Sequence, residues 1–250
     1  MKTVRSLFFS IVLVLIISSC EGPEGPQGSD GPIGPNLIGE ITGFVKLLNE
    51  DGTPVNDNSG VNVTVEGTQI SATTDLNGKY LLSNLSTGIY NIYLWKTGYC
   101  SYKYVGKEFT GGGQAYYGII DLIALPSFSV TNFAILSSPS PDEIRIVGRI
   151  SNTDQHWREV RLFFYNTDLV SSDPSHYLHT TTTSISPNEY GFDINYSINP
   201  LYQIGFSGGD ACYIAAYSSS SSIRYPDPNT GRYFYTGISN TFLVDSCIVP

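Results

Sequence analysis

Short apolar alternations of period two, cut by turn residues, constrain this chain more than any other feature. Val61, Val63 and Val65 alternate with Asn62, Thr64 and Glu66, and Ile144, Ile146, Gly148 and Ile150 alternate with Glu143, Arg145, Val147 and Arg149. Val160, Leu162 and Phe164 repeat the habit, as do Phe192, Ile194, Tyr196 and Ile198. Successive side chains of a strand point to opposite faces, so this period predicts half-buried strands. Asp51-Gly52, Asn77-Gly78 and Thr87-Gly88 fall between them and supply residues that tolerate positive φ at turns. Eighteen tyrosines and twelve phenylalanines beside a single methionine favour strands over helices, and no stretch beyond residue 20 carries apolar periodicity of 3.6. The expected fold is all-β, as two consecutive β-sandwich domains.

The first 37 residues stand apart. Lys2 and Arg5 precede an eleven-residue run from Leu7 to Ile17 that is apolar except for one serine, and Ile17-Ser18-Ser19-Cys20 closes it. The run is too short for a membrane span, which needs about 20 apolar residues, and has the order of a secretory signal. The Ile-Ser-Ser-Cys ending resembles the lipobox of bacterial lipoproteins. That resemblance implies a signal peptide over 1–19, cleavage before Cys20, and acylation of Cys20, with the lipid as the membrane attachment. An ordinary signal peptide with an incidental cysteine is the competing reading. Residues 20–37 follow as a tether, in which Gly22 to Asn36 form five Gly-X-Y triplets with proline at X in four. The tract resembles collagen but is too short to trimerise alone. As an extended polyproline-like spacer it reaches roughly 50 Å at about 3.1 Å per residue.

The full chain carries 13 basic and 22 acidic groups, a net charge of −9. Losing Lys2 and Arg5 with the signal takes the mature chain to −11. Such a balance offers no electrostatic footprint for nucleic acid and no basic patch for anionic lipid. Glu21 follows the cysteine where enteric lipoproteins retained in the inner membrane have aspartate, so the outer membrane is expected, displayed at the surface, with the periplasmic face left open.

Residues 38–126 carry Gly43 and Val45 on an opening strand, the turn Asp51-Gly52-Thr53-Pro54-Val55, and the run Thr74-Asp75-Leu76-Asn77-Gly78-Lys79-Tyr80. Leu85, Gly88-Ile89-Tyr90 and Gly98-Tyr99 follow in order. This set resembles the carboxypeptidase regulatory-like domain, which implies a small transthyretin-like β-sandwich without catalytic residues. Asn56 to Gly60 is an insertion relative to that pattern. Residues 127–250, with Gly148 to Asn152, Phe164-Tyr165-Asn166-Thr167, Ala211-Cys212-Tyr213-Ile214-Ala215-Ala216-Tyr217 and Tyr235-Thr236-Gly237, resemble fibronectin type III-like modules of bacterial surface proteins. The core tyrosine of those modules falls on Cys212 here.

Cys100, Cys212 and Cys247 remain after Cys20. Export brings the chain to an oxidising compartment, where one pair and one leftover thiol are expected and spacing leaves the connectivity open. With the module resemblance, a bond from Cys212 to Cys247, placed just past the last strand, is expected.

Four constellations resemble chemistry. His156-Trp157-Arg158-Glu159 matches the H-x-x-E zinc pair of zinc carboxypeptidases, but catalysis needs a third protein ligand and a rigid cavity. His176 and His179 with Asp173 fall on opposite faces if they lie on a strand. Asp75-Leu76-Asn77-Gly78 and Asp227-Pro228-Asn229-Thr230-Gly231 look like calcium loops yet lack a closing glutamate and make good turns without metal. Neither a metal, a cofactor nor catalysis is expected. Trp95, Tyr225, Tyr233 and Tyr235 remain as a candidate ligand platform, since rigid aromatics on loops at a sandwich end suit sugars or partner proteins. The expected function is a non-catalytic envelope lipoprotein that displays a binding, adhesion or complex-assembly surface. The second reading is a glycan-binding lipoprotein that assists a neighbouring outer-membrane transporter.

Overall fold

The computed structural model describes residues 36–153 and 155–250. The expected signal peptide, Cys20 and the expected tether through residue 35 lie outside the described residues. Residues 36–250 form one compact unit in which strands dominate, as the alternations require.

Seven strands build the first sandwich: β1 (Ile38–Leu48), β2 (Asn62–Val65), β3 (Ser71–Thr73), β4 (Lys79–Ser86), β5 (Gly88–Trp95), β6 (Tyr102–Phe109) and β7 (Gln114–Ile123). One sheet has the order β4-β1-β7, the other β3-β2-β5-β6. β1 runs antiparallel to β4 and parallel to β7. Ile41, Val45 and Leu47 from the first sheet meet Val63, Val65, Ile92 and Leu94 from the second, all essentially sealed from solvent. Each such side chain contributes about 1.5–3 kcal/mol on burial.

Two residues that carry the family resemblance turn out to be one contact. Gly43 and Tyr80 are cross-strand partners. A Cβ on Gly43 would come within 2.5 Å of the Tyr80 hydroxyl, so the glycine makes room for a buried ring. At Gly78, with φ of +81°, an added Cβ would lie 1.9 Å from the Val45 carbonyl. The Asp75 carboxylate accepts from the Asn77 and Lys79 N–H groups, each at 2.9 Å, and closes that turn. Gly88, in contrast, is not at positive φ. It opens β5 directly, and the turn before it is held by Thr87, whose N–H donates to the Leu37 carbonyl. The inserted segment is fixed as well. Asn58 Oδ1 accepts from the Leu47 N–H at 2.7 Å, and Lys96 Nζ donates to the Ser59 carbonyl at 2.6 Å.

The second sandwich has β8 (Val130–Ser137), β9 (Glu143–Ile150), β10 (Arg158–Tyr165), β11 (His179–Ile185), β12 (Gly191–Ser197), β13 (Ala211–Ser219) and β16 (Ile238–Ile248). Its sheets are β12-β9-β8 and β11-β10-β13-β16. Ile144, Ile146, Val160, Leu162, Phe164 and Ile214 meet in the core between them. The sheets also touch at one edge, where Asp245 Oδ2 of β16 accepts the Ile135 N–H of β8 at 2.8 Å. One helical turn, α1 (Asn199–Gln203), begins with a proline in its first turn, a position that needs no backbone donor.

β10 departs from the expected half-buried pattern. Arg161 and Phe163, which alternate with the core residues, are 5% and 0% exposed. The outer face of this sheet is covered by a second apolar cluster of Phe163, Val170, Tyr177, Ala215, Tyr217 and Ile238. That cover comes from the segment between β10 and β11, through Val170 and Tyr177, and from the loop between β13 and β16, which folds into a hairpin of β14 (Arg224–Pro226) and β15 (Tyr233–Tyr235) and adds Tyr235.

Candidate functional site

In the hairpin, alternation sorts the side chains onto two faces. Arg224, Tyr233 and Tyr235 share one, while Tyr225 and Phe234, cross-strand partners at 5.2 Å between rings, share the other. On the first face the Arg224 guanidinium lies 4.7 Å from the Tyr233 ring centroid and 5.8 Å from that of Tyr235. Arg161, from the sheet beneath, sits 4.3 Å from the Tyr235 centroid. Tyr235 then meets the edge of Phe163 at 5.7 Å. Desolvation would make a buried guanidinium costly, and the facing rings offset part of that cost. Burial holds the Arg161 pKa below its ordinary value. The Tyr177 hydroxyl both donates to the Tyr233 carbonyl at 2.7 Å and accepts its N–H at 2.9 Å.

The opposite face turns to the first sandwich. Burial raises the Tyr225 pKa, with smaller contributions from Tyr93 and Glu66 on that sandwich. Thr236 donates to the Ser101 carbonyl at 2.6 Å, and Ile223 packs against the first core. Arg158, buried at the start of β10, pairs with Glu50, whose second oxygen accepts the Ser127 N–H at 3.0 Å. Of the four platform residues, the structure therefore brings Tyr233 and Tyr235 together around Arg224 and points Tyr225 the other way. Trp95, 40% exposed, ends β5 opposite Asn62 in the first sandwich.

A different region is open. The outer face of the β12-β9-β8 sheet carries a groove of about 930 Å³. Its geometry follows from register. Asn132, Arg149 and Gly191 form one cross-strand row, and Ala134, Val147 and Asp193 the next. Cross-strand partners and residues two apart share a face. Gly191, Ala134 and Val147 thus make a low apolar floor. On one side stands Asp193, held by Arg145 through Nε at 2.7 Å and through a second guanidinium nitrogen. That pairing lowers the Asp193 pKa. On the other side rise Asn132, Arg149, Glu189 and Tyr190, whose ring is 60% exposed. Among the described residues, none of these four side chains makes a polar contact. Sequence reasoning singled out none of them for binding, because the row exists only once three strands are in register.

The other constellations have structural roles. His156 Nε2 lies 3.4 Å from Asp51 Oδ2 across the two sandwiches, whereas Glu159 accepts from the Ser219 hydroxyl at 2.8 Å. His179 shares a 2.8 Å hydrogen bond with the Tyr196 hydroxyl, and burial lowers its pKa. Asp173 accepts from the Ser175 N–H at 2.8 Å. Asp227 caps the hairpin turn through the Thr230 hydroxyl at 2.7 Å and the Thr230 N–H at 3.1 Å. Among the described residues, no group of three or more His, Cys, Asp or Glu is placed to hold a metal.

Cys100, Cys212 and Cys247 are thiols in this structure. Cys247 lies inside β16 rather than past it, directly opposite Cys212 on β13. The strand continues to Ile248 because its ladder to β13 runs unbroken from Phe242. The pairing of the two thiols raises the Cys212 pKa and lowers that of Cys247. Burial raises Cys100 to about 11, and its sulfur accepts the Ile123 N–H at 3.1 Å.

No family model matches this chain, and no curated protein matches it. Among solved structures, the chain is similar to an N-terminal interface mutant of a type II cohesin–X-dockerin complex from Acetivibrio cellulolyticus, at 20% identity and a TM-score of 0.30. That match covers 34% of this chain and 57% of the other, so this chain spans little more than half its length. DUF3823 family proteins from Parabacteroides merdae and Bacteroides uniformis are similar at 15% and 14% identity, each with a TM-score of 0.28. The first match covers 74% of this chain and 92% of that one, the second 86% and 100%. None of these likenesses assigns this chain a ligand.

Proposed function

We propose that this protein is a non-catalytic envelope lipoprotein, anchored through acylated Cys20 at the outer membrane, that displays a recognition surface for adhesion or complex assembly. The observation that supports this reading best is the contrast between engaged and unengaged polar side chains. Every constellation with catalytic or metal-binding composition is tied into a structural bond: His156 to Asp51, His179 to Tyr196, Asp75 and Asp227 to their own turns. The unengaged polar groups of the groove across β12, β9 and β8 instead ring an apolar floor, an arrangement suited to holding a ligand. Residues 38–126 act, on this reading, as a carboxypeptidase regulatory-like sandwich, and 127–250 as a fibronectin type III-like one. The seven-strand, three-plus-four sheet order of the second region supports the latter. The contacts through Glu50, Ser101 and the hairpin support a stiff pair of sandwiches rather than beads on a string.

The test is made in the native cell. Cys20→Ala is expected to release the protein from the membrane fraction, and added protease is expected to cleave the wild type on intact cells. Pull-down of the acylated protein from membranes is expected to recover a stoichiometric partner or glycan. Retention of Cys20→Ala in the membrane, or shielding from protease until the outer membrane is opened, would overturn the anchor or the surface display respectively. A glycan-binding role beside an outer-membrane transporter is the second reading, and the open groove favours it.

A further inference from the structure

We infer that the groove across β12, β9 and β8 is a binding site for a neutral saccharide. The inference rests on the reading of the protein as a binding module and gives that module a ligand class. Three features of the groove select the chemistry. The floor of Gly191, Ala134 and Val147 is apolar and low, and Tyr190 offers an exposed phenol ring beside it. A pyranose has apolar C–H faces that lie against such surfaces, and tyrosine presents contact area at little entropic cost. The rim supplies hydrogen-bonding groups of complementary kinds: a fork of donors from Arg149, donor and acceptor from Asn132, acceptors from Glu189. Equatorial hydroxyls both donate and accept, and a mixed rim satisfies both. None of these groups has to break a bond to another described residue in order to bind.

Charge then chooses between neutral and ionic sugars. Arg145 and Asp193 neutralise each other, and the rim carries one further charge of each sign, Arg149 and Glu189. The groove holds no net charge to attract a polyanion, and the chain as a whole, at −9, repels one. The outer strands stand about 10 Å apart, given roughly 4.8 Å between neighbours, enough to seat a sugar ring with its substituents. The volume falls within the range of about 300–1,000 Å³ usual for ligand pockets.

Affinity electrophoresis of the full chain, purified from membranes in detergent, tests this in gels containing amylose, xylan, mannan or mixed-linkage β-glucan, with polygalacturonate as the acidic control. At least one neutral polymer is expected to retard the protein, and polygalacturonate is not. Tyr190→Ala and Arg149→Ala are each expected to weaken binding about tenfold or more. Ala134→Leu, which fills the floor, is expected to abolish it, and Tyr190→Phe to keep it, with thermal midpoints checked for every variant. Tyr233→Ala, on the hairpin, is expected to bind as the wild type does. Retardation by none of the neutral polymers, preferred binding of polygalacturonate, or full binding by well-folded Ala134→Leu would overturn the assignment. If no glycan binds while the membrane pull-down still recovers a protein partner, the saccharide falls and the display function stands.

Discussion

The hairpin and the groove hold similar residues and use them in opposite ways. Both combine arginine, tyrosine and acidic or amide groups on a β-surface. In the hairpin, Arg161, Tyr235, Arg224 and Tyr233 stack in succession, and the Tyr177 hydroxyl bonds both the carbonyl and the N–H of Tyr233. Of the aromatic run that looks most like a ligand platform in the sequence, Tyr235 serves as mortar against Phe163 and Tyr225 turns to the neighbouring sandwich, while Tyr233 stays 40% exposed. In the groove, Arg149 and Tyr190 stand beside Gly191 and Ala134, which are too small to cover them. The lesson is that aromatic content does not mark a binding surface. What matters is whether neighbours in the fold are large enough to use those rings.

If the hairpin is mortar, removing its anchor should be costly. Phe163→Ala deletes a fully buried ring that meets Tyr177, Tyr217 and Tyr235. The expected loss is about 3–5 kcal/mol, read from urea denaturation midpoints. A loss near zero would show that the hairpin does not hold the sheet. The two opposed thiols lie at the base of the chain segment that contains this hairpin. In an oxidising compartment Cys212 and Cys247 are expected to be joined, with Cys247 as the attacking thiolate and the disulfide of an oxidoreductase as the acceptor. Mass spectrometry of protein isolated without reductant should show the loss of two hydrogens. The bond should add about 3–4 kcal/mol to stability in the chain-entropy model. Equal masses after denaturing alkylation with and without prior reduction would sink it.

Smaller changes sharpen the contrast. Tyr177→Phe keeps the ring and removes only the hydroxyl that donates to and accepts from Tyr233. About 1–2 kcal/mol should be lost, visible as earlier hydrogen exchange of the Tyr233 amide. At the other end, Tyr190→Ala and Arg149→Ala should change stability by no more than about 0.5 kcal/mol, because exposed side chains without polar partners support nothing else. A large destabilisation by either would place the groove residues with the mortar and remove the distinction between the two regions.

Much of the fold was legible. The valines of β2 and the isoleucines of β9 lie inward as their alternation requires, since burial on one face leaves a period of two in the sequence. Gly43, Tyr80 and Gly78 were readable as a motif, although only the structure shows that Gly43 is there to admit the Tyr80 ring. β10 was half legible: Val160, Leu162 and Phe164 gave the inner face, but the burial of Arg161 and Phe163 depends on a hairpin some 60 residues further along the chain. The Thr87-Gly88 pair marks a turn, but not through positive φ at Gly88: Thr87 bonds to Leu37 and Thr110, and the Tyr90 hydroxyl donates to the Ser86 carbonyl. The candidate site was the least legible part. Nothing local distinguishes Arg149 on its strand from Arg145, yet one stands open and the other is locked to Asp193.

By itself the sequence determined the class of the fold and the places where the chain must turn, because period-two burial and turn chemistry act over a few neighbouring residues. It also carries the apolar run ending at Cys20 on which the proposed export and acylation rest, a pattern of local order alone. Only the tertiary structure decided which aromatic and charged groups are free to meet a ligand. Exposure is a property of what lies across from a residue, and here the strands that lie across come from distant parts of the chain: β8 and β12 around Arg149, β13 and β15 around Arg161.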